Sequence, residues 1–152
     1  MSLGTLAMKA LRRSFIRDDP SPLSVDEAVE RLQVQAKAQG WRLPHSFDLQ
    51  EFYARHGPFE MKRVMVIYLC DPPGGYALTR PDAFKPLLAL MPSSVCIYET
   101  SRGEVRVTRL NYHFMARMFG GKARHTLRES GERMDATLAG IVTQRRCHPH
   151  PA

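Results

Sequence analysis

The sequence predicts a single α+β domain, with a mainly antiparallel sheet and helices packed on one face. Three features predict it. Val64 to Leu69 is an unbroken apolar run of strand length, and Val95–Thr100 and Glu104–Leu110 flank Ser101-Arg102-Gly103 as a hairpin. Two further stretches, one opening at Ser24 and one running on from Leu127, repeat apolar residues at helical spacing. Strands and helices do not alternate strictly, which argues against a parallel sheet built from βαβ units. With 152 residues, 43% of them hydrophobic, the chain is long enough for one core. The domain is expected over residues 11–143, after an N-terminal segment 1–10 and before a polar, mobile tail 144–152.

Taken in order, Leu11 to Arg17 mixes apolar and basic residues and reads as a first strand, followed by a turn at Asp18-Asp19-Pro20-Ser21-Pro22. Ser24 opens a helix, and Glu27 three residues on completes a capping box. Val25, Ala28, Val29, Leu32 and Ala36 form its buried stripe, and Gly40 supplies the left-handed stop. Trp41 to Leu43 reads as a short strand ended by Pro44. Asp48 caps a short helix whose apolar side is Leu49, Phe52 and Tyr53, closed by Gly57. Arg63 to Leu69 lacks alternation, so it is expected to be central and covered on both faces.

A short helical segment follows Pro72. Asp82 to Met91 is expected to be a helix with Phe84, Leu87 and Leu88 inward, Pro86 disturbing only its first turns. In the hairpin's second strand, Val105 and Val107 alternate with Arg106 and Thr108, so one face is solvated. Phe114, Met115, Met118 and Phe119 then take up a helical pattern that Gly120-Gly121 breaks. Leu127, Met134, Leu138 and Ile141 mark a long amphipathic helix.

Composition excludes several classes. No run approaches the ~18 apolar residues of a membrane helix. The first residues lack a secretory apolar stretch, so a cytoplasmic location is expected; a periplasmic one follows if an upstream signal has been removed. Three cysteines, without regular spacing or a C-x-x-C pair, argue against a disulfide framework, a zinc ribbon and a thioredoxin-type dithiol. The net charge of +7 favours anionic partners in general, but the basic residues are spread along the chain. No aromatic residues interleave with a basic strand face as nucleic-acid stacking platforms would, so nucleic acid is not an expected partner.

Several phrases occur in a fixed order: Ser24-Val25-Asp26-Glu27-Ala28-Val29-Glu30-Arg31-Leu32, then Cys70-Asp71-Pro72, then Leu90-Met91-Pro92 before Val95-Cys96-Ile97-Tyr98-Glu99. Leu110-Asn111 and Met118-Phe119-Gly120-Gly121 complete the set. In that order they resemble the bacterial and archaeal domain of unknown function 302 family, over roughly Leu11 to Val142. The resemblance implies a compact α+β fold similar in outline to half of the TATA-binding protein, and a homodimer. Fold likeness of that kind carries no DNA-binding inference. The family's first motif often reads Cys-Asn-Pro and its second Met-Pro-Cys-Arg. Here Asp71 replaces the asparagine, and Ser93 and Ser94 stand where the second cysteine and the arginine would be. A two-cysteine site is therefore not expected.

Cys70 is the first candidate site residue. It ends a buried strand and precedes a helix start, whose free N–H groups favour a thiolate; Asp71, a neighbouring negative charge, works against one. The alternative is a small hydrophobe in the core, and Cys96, between Val95 and Ile97, reads the same way. A nucleophilic Cys70 would need His45, His56 or His113 supplied by the fold. Gly120, Gly121, Lys122 and Arg124 form a second candidate, an anion site in which paired glycines open the backbone to phosphate; the alternative is a plain break between helices with a solvated basic face. Cys147, His148 and His150 mix soft sulfur with imidazole and are weak metal candidates, short of a structural site. Asp48 and Glu51 are explained by helix capping.

No triad, metal set, nucleotide fingerprint or cofactor signature rises above background. The expected function is that of a small dimeric ligand-binding or accessory protein, without catalytic turnover or a cofactor, with a small anionic molecule as one candidate ligand. The alternative is a thiol-dependent enzyme or a sulfur or redox carrier built on Cys70.

Overall fold

The buried residues of this chain's five-stranded sheet that join the hydrophobic core all lie on one of its sides. The computed structural model describes residues 2–143. The strands are β1 (Ile16–Ser21), β2 (Ser46–Asp48), β3 (Val64–Leu69), β4 (Ser93–Glu99) and β5 (Val105–Leu110). They pair antiparallel throughout in the order β1-β5-β4-β3-β2. The helices are α1 (Leu3–Ser14), α2 (Val25–Ala38), α3 (Leu49–His56), α4 (Pro72–Thr79), α5 (Tyr112–Ala116) and α6 (Gly121–Thr137), with a 3-10 segment at Asp82–Leu90.

Directly paired residues share a face, so the register defines both sides. Ile67 faces Val95, and Met65, Ile97 and Val107 lie in one cross-strand row. Ile67, Val95, Ile97 and Val107 are fully buried under α2 and α6. Helix α2 begins as expected: the Ser24 side chain accepts from the Glu27 amide, and the Glu27 carboxylate accepts from the Ser24 amide. Its stripe Val25, Ala28, Leu32 and Ala36 is buried, and Gly40 takes a left-handed φ of 81° just beyond its end. Asp48 caps α3; the Glu51 amide and then Arg63 hold its carboxyl below the usual range.

Several expectations are corrected. The N-terminal basic segment is helical to Ser14, and the strand begins only at Ile16, running through the stretch read as a turn. Pro20 is tolerated because β1 is an edge strand, where a missing N–H breaks no interior ladder. Trp41–Leu43 supplies only an isolated bridge, Arg42 with Cys70 in both directions, and the paired strand is Ser46–Asp48.

Strand β4, not β3, is the centre of the sheet. In β3, Ile67 and Leu69 are buried while Val64, Val66 and Tyr68 are half-exposed on the uncovered face, so its continuous apolarity does not mean cover on both sides. Cys96, opposite Val66, lies on that same uncovered face rather than in the core. Asp82–Leu90 is 3-10 rather than α, and Leu88 is exposed while Phe84 and Leu87 pack on the core. The last helix starts at Gly121 and ends at Thr137, so Leu138 and Ile141 lie beyond it. Leu127, Met134, Leu138 and Ile141 are all buried within this chain, so the stripe packs into its own core.

One ion pair sits among these apolar contacts. Arg109 and Asp19, on the helix-covered face, are 5% and 8% exposed, with Arg109 Nη1 donating to Asp19 Oδ2 at 2.8 Å. Removing one partner strands the other charge in the interior, whereas replacing both does not. Asp19→Ala should therefore destabilise the protein by about 3–5 kcal/mol, and Asp19→Ala with Arg109→Met should recover most of that loss. Urea unfolding of the two variants and the parent measures it. A double variant no more stable than Asp19→Ala would show that the pair's own geometry, not an orphaned charge, matters.

Candidate functional site

The chain after Cys70 turns at once into α4, and the turn has two unusual properties. Pro72 and Pro73 occupy the first helical positions and carry no N–H, so two donors that normally crown a helix start are missing. The Gly75 amide already bonds the Asp71 carbonyl at 2.8 Å. The helix start expected to favour a thiolate at Cys70 is thus largely emptied of donors.

Asp71 itself does not cap α4; its carboxylate meets the Arg133 guanidinium from α6. Arg133 in turn lies over the Trp41 ring, 4.7 Å from the centroid. Trp41 Nε1 donates to Thr137 Oγ1 at 3.0 Å, and that hydroxyl donates to the Arg133 carbonyl at 2.8 Å. Asp71, Arg133, Trp41 and Thr137 therefore form one linked unit tying the end of β3 to the middle and end of α6. The negative charge beside Cys70 is matched by this arginine.

Beneath that unit is a cavity of about 70 Å³. On the same measure one water needs about 10–15 Å³, so there is space for several waters or for a ligand of a few heavy atoms. Its walls combine the apolar Leu69, Leu78 and Leu127 with Cys70, Ser93, Tyr112, Thr126 and Ser130. Tyr112 and Ser93 hydrogen-bond to each other; burial pushes the Tyr112 phenol up, so it stays a hydroxyl donor. Ser130 is 8% exposed, and among the described residues no hydrogen bond engages its hydroxyl. No histidine lines the cavity. Cys70 is a free thiol of intermediate exposure, and no base is in hydrogen-bonding contact with it among the described residues.

The other candidates lie elsewhere. Cys96 pairs with Val66, four residues before Cys70 and so about 13 Å along the sheet, beyond disulfide reach. Burial raises the Cys96 thiol's pKa, with Ser94 partly opposing. Gly120, Gly121, Lys122 and Arg124 stand at the start of α6, before its first cavity residue, Thr126. Arg124 Nε donates to the Phe119 carbonyl at 2.7 Å and staples the α5–α6 connection. His113 bonds Asp135 at 2.8 Å and packs on Gly131; His45 and His56 lie against Tyr68 and Phe52. Cys147, His148 and His150 lie outside the described residues. Among the described residues no group of three or more histidines, cysteines or carboxylates is placed to hold a metal ion.

The chain matches the family described as Domain of unknown function DUF302 over residues 18–144. It belongs to that family. The structure is also similar to the crystal structure of an uncharacterized conserved DUF302 protein from Bacillus stearothermophilus. The TM-score is 0.70 at 16% identity, covering 84% of this chain and 98% of that one. At that identity the likeness establishes the fold alone. No curated protein matches the chain. Among the described residues no helix is long and apolar enough to cross a membrane.

In this DUF302 chain, position 93 borders the cavity with Cys70, and a serine there leaves a single thiol beside the cavity. Sequence reasoning missed Trp41, Tyr112, Thr126, Ser130 and Arg133, which come from three separate segments. The one local sign was a basic residue, Arg133, on the otherwise apolar side of α6.

The two glycines of α4 differ in what they allow. A Cβ at Gly74 would overlap the Asp71 carboxylate, 2.9 Å from its Cγ. A Cβ at Gly75 would meet Met91 Sδ at an ordinary 3.9 Å. Gly74→Ala should cost about 1–3 kcal/mol by displacing Asp71 from Arg133. Gly75→Ala should stabilise by about 0.5–1 kcal/mol through reduced chain entropy. Thermal melts compare the two, and equal effects would refute the close packing at Asp71.

Proposed function

We propose that this protein is an accessory protein that holds a small polar ligand in the cavity beside Cys70, without turning it over. The observation that carries this reading is the Ser130 hydroxyl, which lies at the cavity wall and makes no hydrogen bond among the described residues. A hydroxyl without a partner in the protein can both donate to and accept from a ligand seated there. Thr126, Tyr112 and Ser93 offer further hydroxyls on the same wall. The missing base near Cys70 and the two prolines at the start of α4 support binding over catalysis.

The likeness to half of the TATA-binding protein and the homodimer belong to the same proposal. The half-exposed Val64, Val66 and Cys96 on the uncovered sheet face offer the dimer a surface. A monomer mass by light scattering at micromolar concentration would remove it. The second reading, a thiol enzyme or carrier, rests on Cys70 being free and partly exposed.

Ser130→Ala tests the first reading on the ligand-free protein. It should not lower stability, because the hydroxyl holds no partner among the described residues and alanine is the better helix former. A loss of stability would mean the hydroxyl is already satisfied without ligand. Iodoacetamide labelling separates the two readings. If Cys70 only lines a binding cavity, it reacts no faster than free N-acetylcysteine at pH 6.5. Faster labelling would put the thiol chemistry first.

A further inference from the structure

Helix α1 and strand β1 meet at a corner whose charges do not balance. From Met1 to Arg17 the chain carries Lys9, Arg12, Arg13 and Arg17 and no acidic residue. These four cations face Asp18 and Asp19 across a cleft of about 460 Å³. Both carboxylates are already engaged. Asp18 accepts from Arg12, from Arg106 Nε at 2.8 Å and from the Tyr98 hydroxyl at 2.9 Å. Asp19 accepts from the buried Arg109 at 2.8 Å.

Arg13 and Arg17 are underused. Arg17 approaches Asp19 and Asp135 only at 3.8 and 3.7 Å, beyond hydrogen-bond distance. Arg13 makes no hydrogen bond or ion pair among the described residues, yet lines the cleft. A guanidinium offers five N–H donors in a fixed fork that matches tetrahedral oxyanions. Counting Arg106, Arg109 and Asp135 with the lining residues, six cations surround three carboxylates at this corner.

We propose that this cleft binds a phosphate-type oxyanion, held chiefly by Arg13 and Arg17. The site is distinct from the Cys70 cavity and from the start of α6. The phosphate has two possible sources, a free phosphorylated molecule or an anionic lipid headgroup. The second arises because every described residue of α1 is at least partly exposed, and Leu3, Leu6 and Leu11 (88, 50 and 39% exposed) lie on one stripe of it. An apolar stripe beside a basic cluster is the pairing that seats a helix on an anionic bilayer.

The test is a thermal melt in inorganic pyrophosphate against sodium chloride at matched ionic strength and pH 7.5. A site with a dissociation constant of about 1 mM favours the folded state about elevenfold at about 10 mM ligand. The melting temperature should therefore rise with pyrophosphate and not with chloride. Arg13→Gln with Arg17→Gln should abolish the difference, and Lys122→Gln with Arg124→Gln should leave it. Should the double variant be poorly folded, Arg13→Gln alone, which breaks no hydrogen bond or ion pair among the described residues, should still reduce the shift.

Co-sedimentation with vesicles of phosphatidylglycerol or phosphatidylcholine distinguishes the sources. Pelleting with phosphatidylglycerol alone, lost in Leu6→Gln with Leu11→Gln, assigns the phosphate to lipid. A pyrophosphate shift without pelleting assigns it to a free ligand. Equal responses to pyrophosphate and chloride, or an undiminished pyrophosphate shift in the Arg13 and Arg17 variants, would overturn the proposal.

Discussion

Burial against helices on one face only is the constraint from which the rest of this structure follows. A sheet with helices on both sides can spread its loops between two layers. Here α2 and α6 must cover Ile67, Leu69, Val95, Ile97 and Val107 from one direction. Helix α6 is long enough to pass over the end of the sheet, where β3 finishes and β4 begins. The loops at that end are therefore trapped beneath it. Arg133 reaches down to Asp71, Thr137 reaches Trp41, and the space they fail to fill becomes the cavity. The site is a by-product of covering a one-sided sheet with one long helix.

The same geometry explains what could be read in the chain beforehand. The capping box of Ser24 and Glu27, the hairpin around Gly103 and the break at Gly120-Gly121 are local signals, decided by residues within one turn of each other, and they were legible. Strand β3 was legible as a strand but not in its cover. Val64, Val66 and Tyr68 look like core residues, and only pairing with β4 and β2 shows that they face away from the helices. Strand β1 was hidden for a related reason. Asp18, Asp19 and Pro20 have turn chemistry, but an edge strand tolerates the proline, and arginines four strands' worth of sequence away, Arg106 and Arg109, neutralise the two carboxylates. Of the cavity, Cys70 and Asp71 were visible because a strand end adjoins a helix start. Trp41, Tyr112, Thr126 and Ser130 were not, since no spacing rule joins residues that meet only after α6 has docked.

Charge in this protein is arranged in pairs that cross between elements. Asp19 with Arg109 joins β1 to β5, Asp71 with Arg133 joins α4 to α6, and Asp48 with Arg63 joins the start of α3 to the residue preceding β3. Such pairs contribute little net stability when compared with well-packed hydrophobic residues, but they disfavour alternative packings that would leave either charge unpaired. The Asp71–Arg133 pair in this way favours the packing that sets α6 over the loop after β3.

The cavity's composition then narrows what can occupy it. A ligand reaching Ser130 must sit between apolar side chains on one side and several hydroxyls on the other, within about 70 Å³. A full charge would be poorly accommodated, because Asp71 and Arg133 already neutralise each other and the remaining groups are neutral hydroxyls and a thiol. A small uncharged polar molecule satisfies Ser130 without stranding a charge. The oxyanion chemistry that the net charge of the chain invites finds its donors instead in Arg13 and Arg17, at the far corner beside β1. The two chemistries are kept apart by the same sheet: one at the end where β3 meets β4, the other at the edge that β1 alone supplies.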